Sequence, residues 1–86
     1  MNTNFQMLKE LNANYHPVAE GFISEKEQHL IKETLCLAEM NVLALRNLRD
    51  FTVMFFGKLN TTESSDKMSA IVYMIDREIF AKGGEV

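Results

Sequence analysis

Apolar residues recur along this chain at intervals of three and four, the spacing that places side chains on one side of an α-helix. Phe5, Leu8, Leu11 and Tyr15 follow that spacing closely. They predict a short amphipathic helix over residues 4–14, weakened at its end by Asn12 and Asn14 and stopped by Pro17. His16 precedes that proline and is pushed toward extended geometry. Residues 17–23 then read as a connector, with Val18, Phe22 and Ile23 free to pack down onto the helices.

The next element has the clearest start signal. Ser24 followed by Glu27 is a capping box, in which hydroxyl and carboxylate each satisfy the other residue's amide. Glu25 and Glu27 also suit the positive end of a helix dipole. No proline or glycine follows until Gly57. The expectation is one long helix over residues 25–58, roughly 50 Å at 1.5 Å per residue. The main alternative is a kink near Asn41 to Asn47.

Leu59 to Ser65 is a polar turn rich in capping residues. Beyond it Met68, Ile71, Val72, Ile75 and Ile79 make a one-sided stripe. They predict a C-terminal helix over residues 66–82, ended by Gly83-Gly84. Sustained period-2 alternation is missing. The fold class expected is all-α: a short N-terminal helix, a long central helix and a C-terminal helix in an antiparallel hairpin, all within one domain spanning 1–86.

The central segment is apolar around too much of its circumference. One stripe contains Leu30, Leu37, Ala44, Leu48, Phe51 and Phe55; a second contains Ile31, Leu35, Ala38, Val42 and Leu45; Cys36, Met40, Leu43 and Met54 point a third way. A straight helix of this kind needs several covering neighbours. The C-terminal helix reaches only about half its length. A two-fold homodimer closing a helical bundle supplies the missing layer, so Leu37, Met40, Ala44, Leu48, Phe51 and Phe55 are the expected interface. If the segment instead bends sharply, a compact monomeric bundle results.

Composition narrows the function. The 86 residues have a net charge of −3, from 9 basic and 12 acidic side chains of which both signs are spread along the chain. No segment is basic enough to drive phosphate binding, and nucleic acid is not the expected partner. The most apolar stretch, Leu35 to Phe56, contains Glu39, Arg46, Arg49 and Asp50, so no membrane span is expected. The N-terminus lacks a basic start and a long apolar run, and Cys36 is the single cysteine. Both features read as cytoplasmic.

Candidate chemistry is sparse. His29, Glu33 and Cys36 share one helical face, an incomplete metal set against the simpler reading of a solvated face running into a core cysteine. Cys36, flanked by Leu35 and Leu37, reads as buried and inert. Arg46 and Asp50 are an i, i+4 pair. Arg46, Arg49 and Lys58 would be the basic band of a nucleic-acid regulator; Arg46, Arg49 and Glu39 would be the inter-subunit site of a small enzyme. Asp76, Arg77 and Glu78 read as a solvated face. Phosphate loops, H-E-x-x-H, C-x-x-C and G-x-S-x-G are all missing. The expectation is a non-enzymatic regulatory or interaction protein without metal or cofactor, acting through protein–protein contacts as a helical homodimer.

Overall fold

A computed structural model describes residues 3–19 and 21–84. Four helices follow in order: α1 over Asn4–Asn14, α2 over Glu25–Thr34, α3 over Val42–Gly57 and α4 over Thr62–Ala81. A 3-10 turn, Leu37–Glu39, lies between α2 and α3. Among the described residues every regular element is helical, apart from an isolated bridge between Ala19 and Phe22.

Each helix starts on a side-chain cap that its sequence supplies. Thr3 with Gln6, Ser24 with Glu27 and Thr61 with Ser64 form reciprocal capping boxes. Asn41 caps α3 by accepting from the Ala44 amide at 2.8 Å. Because Thr61 provides the cap, α4 begins at Thr62, ahead of the start at residue 66 read from the apolar stripe.

The expected continuous helix over 25–58 is two helices. α2 ends at Thr34, and Cys36 adopts left-handed geometry with φ 53°. A straight helix of that length would be roughly 50 Å long, whereas the longest dimension of the molecule is 31 Å. The physical reason for the break lies in Leu35 and Leu37. On a continuous helix, residues two apart point about 200° from each other. The bend brings both leucines to 0% exposure in one core. The break spans residues 35–41, so it meets the anticipated kink region only at Asn41, the cap of the second half.

Folding back changes which apolar residues need cover. Leu8 and Leu11 of α1, Ile31 of α2, Leu45 and Leu48 of α3, and Ile71, Ile75 and Ile79 of α4 are all fully buried in one core cluster. α3 and α4 make the most extensive helix pair, with Arg49 against Asp76 at 2.9 Å near its middle. Phe55 packs edge-on against Phe5 of α1 and Phe56, with ring centroids 5.6 and 5.0 Å apart. The circumference that had seemed to demand a second chain is largely covered by the first.

Candidate binding cleft

The loop between α1 and α2 is held by a polar cluster centred on Glu27. Its carboxylate accepts from the Ser24 amide at 2.7 Å and the Val18 amide at 3.3 Å, and the Tyr15 hydroxyl adds to the stabilisation of its charge. Burial works against the Glu27 charge, but these donors outweigh it and hold the carboxyl below its ordinary range. Burial first, and then the Glu27 charge, push the Tyr15 hydroxyl up to about 12. Tyr15 therefore stays a neutral donor, locked to an ionised acceptor.

A second cluster joins α1 to α4. The buried Lys67 ammonium donates to the Asn12 carbonyl at 2.8 Å and to Asn12 Oδ1 at 2.9 Å. It also lies 3.3 Å from Glu63, which in turn meets His16 Nδ1 at 3.1 Å. The contact with His16, followed by that with Lys67, lowers the Glu63 carboxyl. Gln28 completes the frame: its amide nitrogen donates to the Ile23 carbonyl at 2.9 Å, and its oxygen accepts from Arg77 at 3.3 Å.

Between this braced loop and α4 opens a cleft of about 630 Å³, within the size range of sites that bind small molecules or side chains. Pro17, Phe22 and Ile23 form one wall; Asp66, Ser69, Ala70 and Tyr73 of α4 form the other, with Tyr15 and Gln28 also lining the space. Phe22 is 64% and Tyr73 51% exposed. The Arg77 guanidinium lies 5.9 Å from the Tyr73 ring centroid and is not among the lining residues. A shallower cleft of about 410 Å³ between α2 and α4 carries mixed charge, including His29, Lys32, Arg77 and Glu78.

The residues singled out in the sequence are distributed differently from the expectation. Leu37 and Leu48 of the expected interface are fully buried within the single chain and are not open to a partner. Met40, Ala44, Phe51 and Phe55 are half-buried, Met40, Phe51 and Phe55 being packed on that same core. The outer side of α3 instead exposes Leu43, Val53 and Met54.

His29 lies 3.4 Å from Glu33, but Cys36 lies beyond the end of their helix, and no metal-holding group of three acidic, His or Cys side chains occurs among the described residues. Cys36 is exposed, against the buried position expected, because the chain leaves helical geometry there. Arg49 is tied to Asp76, Arg46 is exposed, and neither cleft is lined by Arg46, Arg49 or Glu39. The expected basic band thereby has Arg49 already neutralised. Asp76 and Glu78 are only partly solvated: Glu78 faces Lys32 and Lys82, each at 3.8 Å.

Sequence reasoning expected Val18, Phe22 and Ile23 to pack down onto the helices, whereas only Ile23 does so and Val18 and Phe22 are exposed; it did not bring the cleft residues together. The available signal was a pair of aromatics off the helical stripes, Phe22 in the connector and Tyr73 on the polar side of the last helix. No helix among the described residues is long and apolar enough to cross a membrane. Compared with known protein families, curated proteins and solved structures, the chain shows no significant match to any.

Proposed function

We propose that this protein is a non-enzymatic interaction module that acts by contact with another protein, using the cleft between the α1–α2 loop and α4. The observation that supports this reading is the exposure of Phe22 and Tyr73 on opposite walls of one concavity. Large aromatics left in water cost hydrophobic free energy, roughly 25 cal/mol for each Å² not buried. Aromatic side chains around a pocket are also the usual anchors of protein interfaces. The loop that carries Phe22 is braced by Glu27 and Gln28, so the concavity is formed before a partner arrives, which limits the ordering cost of binding.

The test is quantitative affinity capture with the wild-type chain and with a Phe22→Ser, Tyr73→Ser double variant. A partner retained by the wild type and lost by the folded double variant is the expected result. Identical retention by both would remove the cleft as the contact surface.

Self-association is the second reading, favoured by Leu43, Val53 and Met54, which lie exposed on α3. In that form the homodimer interface is the outer side of α3, not the residues that the core has absorbed. Size-exclusion chromatography with light scattering decides it. A monomeric mass at micromolar concentration eliminates the homodimer and leaves a hetero-complex.

A further inference from the structure

The lining of the cleft is mixed, with Phe22, Ile23, Ala70 and Tyr73 beside Gln28 and Ser69, and one of its groups is a carboxylate. Asp66, partly buried on α4, makes no hydrogen bond and no ion pair among the described residues. Among the described residues, Glu27 and Glu63, the other carboxylates near this end of the cleft, are partnered. Glu27 is held by Ser24, Val18 and Tyr15, and Glu63 by His16 and Lys67.

Cations of the chain itself are poorly placed to serve Asp66. Lys67 is buried and committed to Asn12 and Glu63. Arg77 is engaged by the Gln28 amide oxygen at 3.3 Å and by the Tyr73 ring. Its helical position is about 16 Å along the axis from that of Asp66, at 1.5 Å per residue. The Asp66 charge reaches Tyr15, where it helps keep the hydroxyl protonated.

Whatever fills the cleft strips water from Asp66. A wholly apolar or anionic occupant would leave that charge desolvated without compensation. An occupant with an apolar stem and a cationic head meets both parts of the lining. Its stem lies along Phe22 and Tyr73, and its head pairs with Asp66 and can also donate to the Ser69 hydroxyl one helical turn away. We infer that the cleft receives an arginine or lysine side chain presented by a partner protein, with Asp66 as the charge that selects it. Arginine fits better, because its planar head both stacks on rings and forks onto a carboxylate. The inference rests on the interaction reading above and adds the chemistry of the partner.

The test is an NMR titration of the ¹⁵N-labelled full chain with blocked peptides of one apolar sequence that differ only in a central Arg, Lys, Gln or Glu. The expected result is shifts at the Phe22, Ser69 and Tyr73 amides with Arg and Lys, with Gln binding about tenfold more weakly and Glu not at all. Asp66→Asn, which breaks no intramolecular bond among the described residues, should keep the wild-type spectrum elsewhere and lower the Arg peptide to the level of Gln. If Arg and Gln bind equally, or if Asp66→Asn changes nothing, the cation inference is overturned while the interaction reading survives. If no peptide moves the cleft resonances, both are overturned.

Discussion

The Lys82 ammonium, at the end of α4, lies 3.2 Å from the carbonyl oxygen of Leu37 in the turn that separates α2 from α3. It also donates to the carbonyls of Ala38, at 3.0 Å, and Met40. A chain leaving a helix exposes carbonyls that have no partner in the helix itself. One cation from a distant part of the sequence gathers three carbonyls of the turn, that of Leu37 also accepting from the Met40 amide at 3.2 Å, so the bend and the end of α4 stabilise each other. Lys82→Met should lower stability by about 1.5–3 kcal/mol, the usual worth of hydrogen bonds to a charged group. Lys9→Met, on the exposed side of α1, should stay within about 0.5 kcal/mol. Urea unfolding of the two variants checks the contrast, and equal midpoints would deny Lys82 this role.

Leu37 offers a sharper discrimination between a monomeric core and an interface. Its side chain has no exposed surface in the single chain. Leu37→Ala should cost about 2–5 kcal/mol, as for other buried leucines. The loss should be independent of protein concentration. A midpoint that falls further on dilution would mean that Leu37 stabilises an assembly instead.

The Tyr15–Glu27 pair sets two pH limits of opposite sign. Glu27 is held below its ordinary value of 4.5, so its contribution to stability is present above that pH and is lost as pH falls through the lower folded-state value. Tyr15 is raised from 10.0 to about 12, so its contribution is complete below pH 10 and is lost as pH rises toward 12. Glu27→Gln should flatten the acid limb, and Tyr15→Phe should flatten the alkaline limb between those values. Stability measured by urea unfolding across pH shows whether each variant removes its own limb; because each group contributes to the other's shift, the opposite limb should shrink but persist.

Gly84 tests the close of the fold. α4 ends in a Schellman motif, with the Gly83 amide donating to the Phe80 carbonyl at 3.0 Å and the Gly84 amide to the Ile79 carbonyl at 2.9 Å. A methyl group on Gly84 would lie 2.8 Å from Ile79 Cγ2 and 2.9 Å from Val42 Cγ1. Gly84→Ala should therefore cost about 1–3 kcal/mol through overpacking. Thermal denaturation gives the answer, and an unchanged Tm would show that this contact yields freely.

Much of the local structure was legible along the chain. The Ser24–Glu27 capping box, the Pro17 stop, the α4 stripe and its glycine terminus are all short-range effects, decided by residues within one or two turns of each other. The bend at residues 35–41 was hidden for a physical reason. No residue there forbids a helix, and Cys36 in left-handed geometry runs against local preference, at a cost of about 1–3 kcal/mol. The cleft was hidden too, because Phe22 and Tyr73 are 51 positions apart and nothing local relates them.

By itself the sequence settled that the chain is helical, where α1 and α2 begin, and that its middle is apolar on every side. It left open how those sides would be covered, because hydrophobic burial has no direction and rewards a second chain as readily as a fold-back. Tertiary structure shows how much of them a fold-back of the single chain covers. Bringing Leu35 and Leu37 into the same core, with Lys82 satisfying the carbonyls of the turn, offsets the local strain at Cys36 and leaves Phe22, Tyr73 and Asp66 around an open cleft.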